Sequence, residues 1–347
     1  MRLLYVIEKM SGFGGMERIF TDKMNWLCKQ RDVEVVLLLV WKDSLPLAYT
    51  LDSRVKVVRL NVPYIKGGVG FPFALFSYNR FVAKYKPDVT ILSWVFGAFL
   101  ATYGKKYGKV IYESHLASTR MTHGWLQTKM QAHVDVVVTL TSRDADNFSK
   151  ARRVEVIPNF TNLQPTASAD YMQKKCVAVG RLVYQKNYPR MIEIWKRISE
   201  KNPDWTLDIY GEGEERTLIE NSINEAGMAS RIVLHGNTDD VVSAMQSASI
   251  YLMTSRMEGF PLALVEAMKC RLPIVAFDCD FGPSEVIDNG TTGFLVPYSD
   301  DAMFIDKLAY LMEHPEVREQ MGASAKKISN KYQSEQIMSE WLRLFQS

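Results

Sequence analysis

Apolar runs too short to be helices recur through the first half of the chain: Leu3 to Ile7, Val33 to Val40, Val55 to Leu60, Val89 to Leu92, Val110 to Tyr112, Val134 to Leu140 and Val154 to Ile157. Between them lie longer stretches whose apolar positions return at helical spacing. Strands with continuous rather than alternating apolar runs are buried on both faces, so the pattern predicts a parallel sheet covered by helices on each side. A polar stretch from Asn159 to Lys175, with Pro165 and several Thr, Ser and Asn residues, breaks the rhythm and reads as a linker. The rhythm then restarts with Cys176 to Val179, Trp205 to Tyr210, Ile232 to Leu234, Ile250 to Met253 and Ile274 to Phe277. Two successive α/β units follow, residues 1–165 and 166–330, each a doubly wound parallel sheet. Residues 331–347 carry Trp341, Leu342 and Phe345 at helical spacing and predict a terminal helix that returns to the first domain. No short repeat or low-complexity tract interrupts the two series.

Composition agrees with two globular domains: 347 residues, 47% hydrophobic and 23% charged. Cys28, Cys176, Cys270 and Cys279 form no C-x-x-C pair, and Met1 leads straight into a strand-like run, which predicts reduced thiols and a cytoplasmic location without a secretory leader. The longest uncharged stretch, Val89 to Gly104, is too short to span a bilayer, and no transmembrane helix is expected. The formal charge of +3 conceals an asymmetry, because residues 1 to 165 hold 23 Lys and Arg against 13 Asp and Glu. A basic half beside an acidic one suits an anionic surface or ligand, such as phospholipid headgroups or a lipid diphosphate. Solvated charge accounts for it equally well, and a nucleic-acid-binding role for the basic half is the rival from another class.

The chemistry concentrates in the second unit. In SRMEGFPLALVEAMKC, Ser255 to Cys270, a strand is followed by Pro261 where a helix should begin. Unpaired N–H groups around Phe260 to Ala263 would then face an anion such as a diphosphate at a positive helix end. Glu258 precedes that helix and Glu266 lies eight residues later, so both carboxylates can address one ligand lying across its start. Ionised carboxylates accept hydrogen bonds from sugar or ribose hydroxyls, although a capping residue plus a solvated face would give the same spacing. Arg181 and Lys186 follow the first strand of this unit, at the carboxyl edge where open α/β sheets bind ligands, and could neutralise a leaving diphosphate. Gly211 and Gly213, after the next strand, allow a close backbone approach to a ligand or simply make a turn.

Together VGRLVYQKN, IYGEGEE, EGFPLALVE and FGPSEVIDNGTTGFLVP resemble family 4 of the retaining glycosyltransferases, which share the GT-B fold. The resemblance covers residues 176 to 300; over residues 1 to 175 it is looser. It implies two Rossmann-like domains facing across a cleft, the first binding the acceptor and the second a nucleotide-sugar donor. It also implies that Glu258 contacts the transferred sugar, Glu266 the ribose, Arg181 and Lys186 the diphosphate, and that Gly259, Phe260, Pro261 and Leu262 approach sugar and phosphate through their backbone.

In the first domain, Ser11, Gly12, Phe13, Gly14, Gly15 and Met16 link a strand to a helix opening at about Glu17, which is the shape of a phosphate cradle or of a tight turn. The dinucleotide fingerprint is broken because Glu17 stands at its third glycine position. Similar loops in the resembled family place Gly14 and Gly15 beside the donor phosphates and acceptor. His115, in IYESH, resembles that family's E-x-H at the sugar-binding face, and is preferred over His123 and His133 as a site histidine. Asp278, Cys279 and Asp280 spell a D-x-D metal motif, but Arg181 and Lys186 already supply positive charge, so no metal or other cofactor is expected.

Finally, Gly67 to Pro87 interleaves Phe71, Phe73, Phe76, Phe81 and Tyr85 with Arg80, Lys84 and Lys86. Such a helix could lie on an anionic membrane or grip a lipid-linked acceptor; an ordinary packed helix with snorkelling cations is the alternative. The resemblance implies a retaining, metal-independent transfer of a hexose or N-acetylhexosamine from a UDP-sugar to a lipid-linked or cell-surface glycan, as in lipopolysaccharide or capsule synthesis, by an enzyme peripheral on the inner face of the membrane. A nucleotide-sugar epimerase on the same fold is the competing enzyme.

Overall fold

The computed structural model describes residues 1–12, 14–64, 69–115 and 124–347. The chain forms two compact units, one made of Met1–Asn159 with Ser334–Ser347 and the other of Phe160–Gln333. The first exchange between them falls at Asn159, ahead of Pro165, and the segment read as a linker largely belongs to the second unit. There Phe160 is buried and Thr161 N donates to Tyr332 O at 3.3 Å.

In the first unit, β1 (Arg2–Ile7), β2 (Glu34–Trp41), β3 (Lys56–Val62), β4 (Val89–Ser93), β5 (Lys109–Glu113), β6 (Val136–Thr139) and β7 (Val154–Val156) build one sheet. Its order is β3-β2-β1-β4-β5-β6-β7, and every pairing is parallel. Helices α1 (Gly15–Leu27), α2 (Phe71–Tyr85), α3 (Trp94–Tyr103), α4 (Gly124–Gln131) and α5 (Ser142–Ala145) lie between the strands. Central strands such as β2 are buried almost throughout, whereas the edge strand β3 alternates between exposed and partly buried positions. Hydrophobic residues of β1, β2, β4 and β5 form this unit's core with α2, α3 and α4.

The second unit repeats the design with β8 (Lys175–Val179), β9 (Thr206–Tyr210), β10 (Ile232–Gly236), β11 (Ile250–Met253), β12 (Ile274–Asp278) and β13 (Gly293–Pro297). Their order is β10-β9-β8-β11-β12-β13, again wholly parallel. Its helices are α6 (Tyr188–Ser199), α7 (Arg216–Glu225), α8 (Val241–Gln246), α9 (Leu262–Lys269), α10 (Pro283–Val286), α11 (Asp301–Glu313) and α12 (Pro315–Ser329). Strand β13 was absent from the apolar pattern, because Gly293 and Pro297 bracket only three apolar residues. Gly293 lies so close to β12 that a side chain there would strike Ile274 O.

Helix α13 (Ser334–Gln346) belongs to the first unit and packs on α1. It buries Ile337, Met338, Trp341, Leu344 and Phe345. Lys109 Nζ donates to Leu344 O at 2.7 Å, placing a cation at the negative end of the helix.

Candidate functional site

At the carboxyl edge of the second sheet, a 3-10 turn over Tyr184–Lys186 follows β8 and is stitched to the segment leading into α9. Gln185 Nε2 donates to Met257 O at 2.9 Å, Arg256 N donates to Gln185 O at 2.8 Å, and Thr254 Oγ1 donates to Asn187 O at 3.1 Å. Arg256 stacks over Tyr184 and reaches Asn187 Oδ1 at 2.7 Å. Asn187 takes the left-handed backbone that ends the turn, with φ of 56°, a conformation asparagine tolerates. These bonds aim Lys186 at Glu258, and Lys186 Nζ stands 2.7 Å from Glu258 Oε1. Two residues read separately from the sequence therefore form one ion pair. Glu258 is buried with its N–H on Asp280 O at 3.3 Å, while Arg181 is exposed at the end of β8.

Helix α9 begins at Leu262, and Pro261 occupies the capping position ahead of it rather than the first helical turn. No side chain caps this end, so the first N–H groups of α9 have no side-chain acceptor from the capping residue. Phe260 is buried edge-on against Tyr332, and Gly259 and Leu262 are partly accessible. Glu266 lies buried on the same helix. Gly282 completes this corner, since a Cβ there would meet Pro261 Cδ at 2.5 Å and Glu258 Cβ at 2.9 Å. From the sequence Gly282 carries a single signal, a glycine directly before the proline that opens α10.

The structure revises the reading of Gly211 and Gly213. Side chains there would run into Gly180 O and Leu182 O, so the close approach they permit is to the chain's own backbone. Leu182 N donates to Glu212 O at 2.9 Å across the same contact. The glycines thus set the path of the turn that carries Arg181 and Lys186. Asp280 of the D-x-D motif supplies its carbonyl to Glu258, and among the described residues no group of three or more His, Cys, Asp or Glu is arranged to hold a metal ion. A cavity of about 580 Å³ opens on this unit beside Pro189 and Glu193 of α6, with Asn187 and Arg256 of the stitched turn on its wall. Of the three cations on its wall, Arg190 pairs with Asp301 at 2.6 Å and Arg256 reaches Asn187, and the third is Lys196.

In the first unit the glycine loop opens α1 at Gly15, with Gly14 as its cap, two residues earlier than expected. The carboxylate of Glu17 folds back over this loop, where a Cβ on Gly12 would meet its Oε1 at 2.7 Å and one on Gly14 would collide with it. A first-turn carboxylate is favoured at the positive end of a helix, and Glu17 lies against the loop read as a phosphate cradle. Phe13 lies outside the described residues.

His115 follows β5 and is almost wholly buried, its ring 4.6 Å from that of Phe20. Its Nε2 is 2.9 Å from Glu113 Oε1, without hydrogen-bond alignment. Glu113 also pairs with Lys23 of α1, and neither side chain is exposed. The Lys23 ammonium sits 4.2 Å from the centre of the Trp341 ring on α13. Burial pushes the Glu113 carboxyl up, but Lys23 and His115 together outweigh it and hold it below the usual carboxylate range. Burial also lowers the Lys23 ammonium, against the pull of Glu113. Sequence reasoning passed over Lys23, although a cation between Phe20, Met24 and Leu27 on the buried face of α1 was the available signal. His133 precedes β6, at the opposite edge of the sheet from His115, and His123 lies outside the described residues.

Helix α2 presents Phe73, Phe76, Arg80 and Lys84 along one exposed face, with Phe73 66% and Phe76 70% exposed, while Ala74, Tyr78 and Val82 are buried on the other. Gly67, at the start of the aromatic stretch, lies outside the described residues.

Residues 161–328 match the family model described as Glycosyl transferases group 1. The chain is 31% identical over 351 residues to an uncharacterized glycosyltransferase of Haemophilus influenzae, covering 97% of this chain and 98% of that protein. It is 27% identical over 357 residues to the amylovoran biosynthesis glycosyltransferase AmsD of Erwinia amylovora, covering 98% of each. Among solved structures, HepE of Anabaena in complex with UDP superposes with a TM-score of 0.80 over 100% of both chains at 16% identity, a likeness of fold.

Proposed function

The chain belongs to the group 1 glycosyl transferases, and from that premise we propose that it transfers a hexose or N-acetylhexosamine, with retention of configuration, from a UDP-sugar to a hydroxyl of a lipid-linked or cell-surface glycan. The observation that carries this reading is the Lys186–Glu258 ion pair beside the uncapped start of α9, with Arg181 exposed on the same sheet edge. Lys186 would turn from Glu258 toward the donor diphosphate, and Arg181 and the N–H groups of α9 would share its charge. Glu258 would then accept hydrogen bonds from hydroxyls of the transferred sugar, and Glu266 from the ribose. The UDP in the HepE complex supports the choice of donor, and the amylovoran biosynthesis named for the Erwinia relative supports a biosynthetic acceptor.

In this reading the acceptor hydroxyl, carried by the first unit, attacks the anomeric carbon from the face that the diphosphate leaves. The bond from carbon to phosphate oxygen breaks, and that oxygen takes the acceptor proton. Arg181 and Lys186 supply the positive charge that a divalent metal would otherwise bring, so the transfer proceeds without one. The exposed phenylalanines of α2 would enter the headgroup boundary while Arg80 and Lys84 meet anionic lipid, holding the enzyme at the membrane surface.

The test is release of UDP, GDP or ADP by purified protein from a panel of nucleotide sugars, with and without EDTA, in the presence of a lipid-linked acceptor extract. Extract-dependent release of UDP that survives EDTA is the expected result. Absence of turnover with every donor would overturn the enzymatic reading, loss in EDTA the metal-free one, and epimerised donor without transfer would identify an epimerase.

A further inference from the structure

Trp94 ends the path of β4, one of the two strands flanking the point where the order of the first sheet reverses, and it opens α3 with φ of 63°. A bulky L residue pays for that left-handed backbone, and such strain persists only where the surroundings enforce it. Burial of the ring does not offset the cost. The residue is 39% exposed, although α3 otherwise buries Phe96, Ala98, Leu100 and Ala101.

The enforcement comes from behind. Tyr112, buried on β5, donates its hydroxyl to Trp94 O at 3.2 Å. Glu8, at the end of β1, accepts Phe96 N on one carboxylate oxygen and Trp41 Nε1 on the other, each at 3.2 Å. In front, the indole Nε1 donates to the sulfur of Met16 on α1, which sets the ring beside the glycine loop. A buried tyrosine and a partly buried glutamate are therefore committed to presenting one accessible aromatic at the carboxyl edge of the sheet, where open α/β folds receive ligands.

We propose that Trp94 is a platform for a pyranose ring of the acceptor glycan. The apolar face of the sugar would lie on the indole, whose electron-rich surface attracts polarised C–H bonds, and the sugar's hydroxyls would remain free at the ring edge. This rests on the proposal that the first unit takes the acceptor, and it names the residue that would select a cyclic sugar over a flexible polyol.

The experiment compares Trp94→Gly and Trp94→Phe with the parent protein in donor and acceptor titrations. Glycine accepts the positive φ without strain, so the ring is removed while the backbone keeps its course. The expected result is an unchanged or higher Tm, an unchanged donor KM, an unchanged rate of donor hydrolysis in the absence of acceptor, and an acceptor KM raised about tenfold or more. Trp94→Phe should retain most of the acceptor affinity. An unchanged acceptor KM in Trp94→Gly, with or without a fall in Tm, would return the ring to a packing role. A raised donor KM would make it a nucleobase platform and overturn the proposal. Should the glycine variant not fold, Trp94→Asn, which also tolerates positive φ, carries the same readout. Failure of the parent protein to turn over any donor would instead sink the proposed function, leaving the two failures distinct.

Discussion

Each unit pairs a lysine with a glutamate near the carboxyl edge of its sheet, yet the two pairs differ in access. Lys23 and Glu113 are wholly buried, with Trp341 against the ammonium and His115 against the carboxylate. The side chain of Lys186 is 19% exposed and that of Glu258 6%. Two sealed charges have lost their water and rely on each other, with His115 as a second neighbour of Glu113, so removing either leaves the other poorly compensated. A pair with an open side can exchange a carboxylate for an incoming anion. Identical residue types therefore serve as framework in one unit and as candidate chemistry in the other, and access decides which.

Lys23→Met attacks the sealed pair and should cost about 3–5 kcal/mol of stability in urea unfolding. Its pH dependence gives the sign. In the parent protein Glu113 titrates below its ordinary value, so its contribution is complete above the ordinary carboxylate range and is lost as pH falls through the lowered value. In the variant only His115 remains to oppose burial, so the folded value rises from that of the parent and the variant gains relative to the parent as pH falls. A difference between the two proteins that stays constant from pH 7 to pH 4 would refute the buried-charge account.

Lys186→Met attacks the open pair and should lower kcat about 100- to 1000-fold with a smaller loss of stability than Lys23→Met. A stability loss as large as that of Lys23→Met would erase the distinction between the pairs. Glu258→Ala should reduce turnover less, by about tenfold to a hundredfold, in a protein that remains folded, and normal activity would remove the residue from the site. The smallest effect is expected at the surface. Neutralising one of the α2 cations, as in Lys84→Gln, should weaken binding to phosphatidylserine vesicles about fivefold, at roughly 1 kcal/mol per cation near the membrane, with turnover of a soluble acceptor unchanged; equal partitioning would make α2 an ordinary packed helix.

The strands were legible because burial on both faces forces continuous apolar runs, as β2 illustrates. Strand β13 was not, since its three apolar residues sit between glycine and proline and gain their place only by pairing with β12. At the candidate site, Glu258 and Lys186 could be named from spacing and resemblance, but their pairing is a tertiary fact made by the stitched turn at Gln185. The glycines show one limit of the sequence. Composition shows that a side chain is missing and not what approaches in its place; at Gly211 and Gly213 the answer is backbone, and at Gly12 and Gly14 it is Glu17. Lys23 illustrates the converse, because a lysine on an apolar helical face looks like an interruption until Glu113 and Trp341 are seen around it.

The position of α13 also bears on the birth of the protein. The ribosome makes residues 1–159 first, but Trp341, which covers Lys23, emerges only after the whole of residues 160–333. At 5–20 residues per second, that leaves the early unit without its cover for roughly ten seconds or more. Until α13 is made, Lys23 lacks the ring that covers its ammonium, so a chain stalled before Trp341 would present an incompletely covered charge to chaperones and proteases.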